Sequence, residues 1–185
     1  MTFAPPCEWV YLDNRIVSAA EAAVSVHAHA LSYGTGTFEG IRAWWNPDRE
    51  RLYLLEAAAH YARLKQSAAI LGLPLPMSVP DLVQATVDLL RHNSVQEDAY
   101  IRPLLVQSGS TLPVRMHDVD TQLSIAVTPM PGEYSDPQGV RCVVSTWRRA
   151  PDVVVPHCAA YAARLRLWPS TSVDGDEVRI ACARG

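Results

Sequence analysis

Lysine is almost absent from this sequence. Of the 16 basic residues in the chain of 185, 15 are arginine and only Lys65 is lysine. The four cysteines lie far apart and form no CxxC pair. Their isolation argues against a disulfide framework or a zinc site and favours free thiols in a reducing compartment. Chemistry that needs a side-chain amine therefore has one candidate, and we expect a cytoplasmic location.

Long apolar runs and strong charge are missing as well. The first residues have no basic start followed by an apolar core, and no window approaches the roughly 18 apolar residues of a membrane span. The net charge of −3 excludes the basic footprint of a nucleic-acid-binding protein. We expect neither a membrane nor a nucleic acid as partner. The 49% of hydrophobic residues present are enough for a folded core.

The hydrophobic pattern predicts strands, then two helices, then strands again. Ser78 and Asp81 form a capping-box pair with Pro80 in the first turn, which predicts where the second helix begins. This order favours an α+β fold in which two helices cover one face of a largely antiparallel sheet. The predicted elements are hairpins over 8–17 and 37–55, helices over about 57–71 and 79–93, and strands over 99–107, 122–129 and 140–147.

A segment rich in proline and glycine predicts a domain boundary. Residues 131–139 have the composition of an interdomain linker. We therefore expect a first domain over 1–130 and the start of a second over 140–185. The regular pattern fades after Pro151, and strand-like alternation returns only at 176–183.

Four sequence blocks, in order and spacing, resemble the branched-chain aminotransferases, which are class IV (fold-type IV), pyridoxal-phosphate-dependent enzymes. The blocks are ALSYGTGTFEGIR (30–42), HYARLKQSAAILGL (60–73), AYIRP (99–103) and STWRRAPDVVVPHCA (145–159). The resemblance implies an N-terminal α/β layer, a C-terminal pseudo-barrel, pyridoxal 5'-phosphate in the cleft between them, and dimers. It further implies amino transfer between leucine, isoleucine or valine and 2-oxoglutarate. We expect this chain to hold the first domain and a truncated, divergent start of the second.

One arginine matches the family's cofactor-binding position. By the resemblance, Arg63 binds the cofactor phosphate, a role that suits a planar, permanently charged fork. A solvent salt bridge is the structural alternative. The helical spacing places His60 on the same face as Leu64, and we expect it to be a packed or helix-bonding histidine. We expect Glu39 and Arg42 to support their strand through buried hydrogen bonds.

The substrate pocket is matched by aromatic and polar residues. The resemblance assigns Tyr33 and Phe38 to the aromatic wall. It assigns Tyr100, Arg102 and Tyr134 to the polar group that receives a distal carboxylate. Such a pocket accepts a branched aliphatic chain in one half-reaction and a carboxylate in the other. Phe38 and Tyr100 also alternate in strands and could be ordinary core residues.

The family's catalytic lysine has no counterpart here, because VVVPHCAAYAA (153–163) aligns Ala160 with it. Lys65 is a poor substitute, since two residues along a helix turn its side chain about 200° away from Arg63. We expect no covalent binding of the cofactor and no catalytic residue. His27 and His29 have no third ligand at a convincing spacing, so we expect no metal site.

Three functions remain open at this point. The first is a branched-chain aminotransferase-like protein that is inactive as it stands. The second is a non-catalytic binding or assembly module derived from the N-terminal domain. The third, a relative of D-amino acid transaminase or aminodeoxychorismate lyase, is weaker because Phe38 and the YIRP block resemble the branched-chain group more closely. We also expect Phe38, Tyr100 and Val127 to lack cover on the sheet and to promote a homodimer or association with another chain.

Overall fold

The elements of the fold follow the predicted order closely. The computed structural model describes residues 5–109 and 120–130. The elements are β1 Trp9–Leu12, β2 Arg15–Ser18, α1 His29–Tyr33, β3 Gly36–Phe38, β4 Ile41–Asn46, β5 Arg51–Leu54, α2 Ala57–Ile70, α3 Val79–His92, β6 Ala99–Gln107 and β7 Thr121–Pro129. The short helix α1 was not predicted. The predicted linker over 131–139 and strand over 140–147 lie outside the described residues.

The strands form one antiparallel sheet. Its order is β2-β1-β7-β6-β4-β5, and β3 pairs separately with β6. The long central strands β6 and β7 pair along their whole length, from Ala99 opposite Pro129 to Gln107 opposite Thr121. This arrangement confirms the predicted α+β fold with a largely antiparallel sheet.

The first hairpin turns where the sequence places an Asp-Asn pair. Asp13 and Asn14 both have positive φ, 42° and 70°, as a two-residue hairpin turn requires. The Asp13 carboxylate also accepts a hydrogen bond of 2.9 Å from the backbone N–H of Leu123. The turn therefore joins the hairpin to β7 as well as reversing the chain.

The second predicted hairpin is interrupted at Glu39-Gly40. Thr37 to Trp45 was expected to form one strand, but β3 ends at Phe38 and β4 begins at Ile41. A Cβ atom on Gly40 would lie 2.5 Å from the hydroxyl oxygen of Tyr100, so a larger residue here would have to displace the Tyr100 side chain. The return strand β5 pairs with β4 as predicted.

One face of the sheet carries the core. Along β6 the odd-numbered residues from Ala99 to Gln107 are buried and the even-numbered ones are half-buried. Leu64 of α2 and Leu89 of α3 have no exposed surface and pack on the buried side. We call this side the helix-covered face and the other the second face.

The structure corrects two details of the predicted packing. On α2 the buried stripe includes Tyr61, whereas His60, assigned to that stripe from its spacing, is partly exposed. Val127 was expected to lack cover but is fully buried, because odd-numbered residues of β7 point to the helix-covered face. Phe38 is 6% exposed, so the expectation that it lacks cover on the sheet was also wrong.

Local and tertiary contacts both hold the helices. The Ser78 side chain accepts from the N–H of Asp81 at 3.2 Å, and the Asp81 carboxylate accepts from the N–H of Ser78, which confirms the capping box. Tyr61 and Thr86 share a buried hydrogen bond of 2.5 Å between α2 and α3. Burial raises the pKa of the Tyr61 hydroxyl well above its usual value. Of the helices described, none is long and apolar enough to cross a membrane.

Candidate functional site

Two groups of polar side chains meet at the Glu39-Gly40 interruption. Successive residues of an extended chain point to opposite faces of a sheet. Glu39 therefore points to the helix-covered face, while Phe38 and Gly40 face the second face. The interruption places two different chemical environments on adjacent residues of the chain.

The first group, which we call the Glu39 cluster, consists of Glu39, His60 and Arg63. Arg63 Nε donates to Glu39 Oε1 at 2.6 Å and Arg63 Nη2 donates to Oε2 at 2.5 Å. His60 Nδ1 lies 2.9 Å from the same Oε2. Arg63, and His60 one turn earlier on α2, thus both contact the buried carboxylate of Glu39.

The neighbouring donors determine the ionisation of the Glu39 carboxyl. Burial by itself raises the pKa of the Glu39 carboxyl, but hydrogen bonds from Arg63 and then His60 outweigh burial and hold that pKa below its usual value. The hydrogen bond with Glu39 raises the pKa of Arg63. An ionised carboxylate only accepts hydrogen bonds, so His60 must donate from Nδ1.

Arg63 keeps one edge available. Its side chain is 52% exposed, and Nη1 donates no hydrogen bond within the part of the chain that the structure describes. A guanidinium has five N–H donors, of which the Glu39 carboxylate takes two. The remaining donors suit the oxygens of a phosphate group. Arg63 therefore fits the phosphate of the cofactor that the resemblance implies.

The second group, which we call the Arg102 cluster, consists of Phe38, Tyr100 and Arg102. The guanidinium carbon of Arg102 lies 4.5 Å from the centre of the Phe38 ring. Arg102 Nε and Nη2 donate to the Tyr100 hydroxyl oxygen at 3.0 and 2.6 Å. The cluster combines an aromatic surface with a positive charge on the second face of the sheet.

The other pocket residues identified from the sequence are placed differently. Tyr33 ends α1, is 42% exposed, and packs its ring against His29 with 4.4 Å between centroids. Tyr134 and Ala160 lie outside the described residues. The structure therefore brings together three of the five residues predicted to form the pocket, and it places Arg63 on the helix-covered face.

Comparison with known proteins identifies the architecture that carries these clusters. The family model for amino-transferase class IV matches residues 36–165. The chain belongs to the class IV amino-transferases. It is 37% identical over 150 residues to a probable branched-chain-amino-acid aminotransferase of Aquifex aeolicus (strain VF5), covering 80% of this chain and 48% of that protein. The match to a branched-chain-amino-acid aminotransferase of Escherichia coli (strain K12) is 32% over 159 residues, 82% of this chain and 50% of the relative.

Solved structures agree with the fold of this class IV chain. A branched-chain aminotransferase from the thermophilic archaeon Thermoproteus uzoniensis, with norvaline, superposes with a TM-score of 0.80 at 38% identity. The alignment covers 86% of this chain and 53% of that one. A T.th. branched-chain amino acid aminotransferase, complexed with N-(5'-phosphopyridoxyl)-L-glutamate, gives 0.78 at 28% identity over 86% and 52%. The chain thus spans about half the length of the relatives that it matches.

The single lysine of this class IV chain is engaged in the turn between the helices. Lys65 Nζ donates to the carbonyl oxygen of Leu75 at 3.0 Å and also to that of Met77. Arg63, two residues earlier, reaches Glu39 instead. The prediction that the side chains of Lys65 and Arg63 point in different directions is confirmed.

The two histidines considered for a metal site differ in exposure, and His27 lies on the surface. His29 is 1% exposed and its Nδ1 lies 3.0 Å from the hydroxyl of Thr35. Across residues 5–109 and 120–130, no three histidine, cysteine or acidic side chains are grouped as metal ligands.

Sequence reasoning missed some neighbours of the site. Glu39 makes the expected buried hydrogen bonds, but they join the sheet to helix α2. Arg42 donates from Nη1 to the sulfur of Met130 at 2.6 Å and lies 4.7 Å over the Trp44 ring. A glutamate followed by glycine between two strands is the only sequence signal that marks this junction.

Proposed function

We propose that this class IV chain contributes the phosphate-binding and side-chain-binding residues of a branched-chain amino acid aminotransferase. The observation that carries the proposal is the Glu39-Gly40 junction, where Glu39 orients Arg63 on the helix-covered face. On the second face, the strand residues Phe38, Tyr100 and Arg102 come together. The solved relatives include one with norvaline and one with a phosphopyridoxyl-glutamate adduct, and these ligands of similar chains support the proposal.

The residues of the chain divide the recognition between them. Pyridoxal 5'-phosphate, when bound, supplies an electron sink for chemistry at the amino acid α-carbon. Arg63 would hold the phosphate through the donors that Glu39 leaves free. Arg102 and the Tyr100 hydroxyl would receive a carboxylate, and Phe38 would contact an aliphatic side chain. One pocket then serves both the branched amino acid and the 2-oxo acid.

Ligand binding tests the first part of this proposal. Arg63→Lys should weaken binding of pyridoxal 5'-phosphate because an ammonium group cannot make the same fork of hydrogen bonds. Arg91→Lys, on an exposed arginine of α3, is the matched control. Equal affinity of both variants would contradict the assignment of Arg63.

The chain as it stands is proposed to bind the cofactor without a covalent bond and to lack transaminase activity. Ala160 at the lysine position and the engagement of Lys65 by two carbonyl groups support this. Borohydride reduction in the presence of pyridoxal 5'-phosphate, followed by peptide mass mapping, tests it. A stoichiometric adduct on Lys65, or conversion of leucine and 2-oxoglutarate, would refute it.

We further propose a homodimer, or association with another chain, in the cytoplasm. Exposed apolar residues next to and within α1 support the association, with Val26 at 76% and Leu31 at 64%. Light scattering at micromolar concentration tests it, and a monomer at all concentrations would refute it. Cell fractionation tests the location.

A further inference from the structure

Glu39 is an unusual residue in this fold. Within the part of the chain that the structure describes, it is the one acidic side chain that is fully buried, with 1% of its surface exposed. Removing a carboxylate from water is costly unless it is paired and hydrogen-bonded. Both oxygens are engaged, by Arg63 and His60.

The two side chains of this ion pair differ in solvent exposure. The Arg63 side chain is 52% exposed, whereas its partner is buried. A salt bridge kept for stability alone gains little from this arrangement, because an apolar pair of similar volume is often as stable. What the arrangement does provide is direction: two parallel hydrogen bonds fix the plane and the rotation of a side chain that is otherwise free to move in solvent.

The same carboxylate also determines that the Nδ1 atom of His60 carries a proton. Oε2 receives hydrogen bonds from both Arg63 and His60, and the Arg63 Nη2 atom lies 3.5 Å from His60 Nδ1. Since Nη2 is itself a donor, the proton on Nδ1 must point to the carboxylate. His60 thereby presents its other ring nitrogen away from the cluster.

We propose that Glu39 is a positioning residue, which holds the guanidinium of Arg63 so that its free edge receives the phosphate group of the cofactor. The inference rests on the proposed phosphate role of Arg63. Glu39 itself does not touch the phosphate. It acts through Arg63, and the bond from His60 fixes the carboxylate in turn.

Two substitutions separate geometry from charge. Glu39→Gln keeps the shape and removes the charge, while Glu39→Asp keeps the charge but is one methylene too short for the two-bond contact. Positioning predicts that both weaken binding of pyridoxal 5'-phosphate about tenfold, within the range of measured couplings between contacting residues. If Glu39 acted only by its charge, Glu39→Asp would bind like the parent and Glu39→Gln would bind more tightly. Either result would overturn the proposal.

A matched control removes an acidic partner elsewhere. Asp88 and Arg91 form an exposed pair at 3.6 Å on α3, so Asp88→Asn should leave phosphate binding unchanged. Pyridoxal without phosphate should bind equally weakly to all variants. Loss of phosphate affinity in Asp88→Asn equal to that in Glu39→Gln would show a general charge effect and contradict positioning.

A double-mutant cycle shows whether Glu39 acts through Arg63. In the Arg63→Lys background, Glu39→Gln should change phosphate affinity by less than about twofold, since the fork that it orients is gone. An unchanged tenfold loss in that background would mean that Glu39 acts by another route, and would overturn the inference.

Nuclear magnetic resonance of the arginine side chains gives a measurement that needs no ligand. The Arg63 Nε–H signal, assigned by its loss in Arg63→Lys, should exchange slowly with solvent in the parent and rapidly in both Glu39 variants. Rapid exchange in the parent would overturn the positioning. A parent chain that shows slow exchange yet binds neither the cofactor nor inorganic phosphate would refute the proposed phosphate role and, with it, the function assigned to Glu39.

Discussion

The two faces of the sheet are built from the same strands but differ in chemistry. On the helix-covered face, Ile101 and Leu105 of β6 are buried against α2 and α3. On the second face, the same strand presents Tyr100 and Arg102, both half-buried. Side chains alternate between faces with a period of two, so one strand of nine residues contributes to the core and to the Arg102 cluster at once.

The alternation separates the residues that pack against the helices from those of the Arg102 cluster. Among the residues that the structure describes, the helix-covered face has one fully buried carboxylate, Glu39, which pairs with Arg63. On the second face, the guanidinium of Arg102 lies over the Phe38 ring and donates to the Tyr100 hydroxyl oxygen. Substitutions on the two faces should therefore have unequal effects on unfolding.

The largest effect is expected in the core. Ile101→Ala removes a fully buried side chain and should lower the free energy of unfolding by about 2–5 kcal/mol, from lost burial and the cavity left behind. Leu104→Ala, on the second face of the same strand, should cost less than half as much. Urea unfolding measures both, and equal losses would contradict the difference between the faces.

The second-largest effect on stability is expected at the buried carboxylate of Glu39. Glu39→Gln should lower the free energy of unfolding by about 1.5–3 kcal/mol at neutral pH, the usual range for a hydrogen bond to a charged group. Arg63 and His60 hold the pKa of Glu39 below its ordinary 4.5, so its stabilising effect is present above that value and lost as the pH falls through the lower folded-state pKa. The parent and the variant should therefore converge in strongly acidic solution. A difference that is independent of pH would show that ionisation is not involved.

A smaller effect is expected at the cap of a covering helix. Ser78→Ala removes the acceptor for the N–H of Asp81 and should cost about 1 kcal/mol. Ser124→Ala, in the second face of β7, is the control and should stay within about 0.5 kcal/mol. If thermal unfolding shows equal shifts for the two variants, the cap does not stabilise α3.

The smallest effect on stability is expected at the pocket. Arg102→Lys removes the planar group over Phe38 and the paired bonds to Tyr100, which should cost about 0.5–1 kcal/mol because the site is half-exposed. Unfolding in urea tests this against Arg91→Lys. A loss as large as that of Ile101→Ala would make Arg102 a core residue and not a pocket residue.

Local signals made much of the fold predictable. The capping box at Ser78 and Asp81 marks the start of α3 within a few residues of chain. The alternation from Ala99 to Gln107 gave the bounds of β6 without error. Both features depend on neighbours in sequence, so they can be recognised before any tertiary contact is known.

Other features depended on partners far along the chain. The close approach of the Tyr100 side chain to Gly40 depends on the pairing of β4 with β6. The burial of Tyr61 in place of His60 follows from the contact with Thr86 on the next helix. Spacing alone could not distinguish adjacent residues at the border of a helical stripe.

The sequence by itself determined the family resemblance, the order of strands and helices, and the scarcity of amines that leaves Lys65 alone. Only the tertiary structure decided how the site residues divide between the faces and that Glu39 holds Arg63. The physical reason is that a buried carboxylate needs a partner wherever packing brings one, and this partner lies 24 residues away on a helix. Composition and periodicity describe neighbours along the chain, whereas the pairing of charges is fixed by neighbours in space.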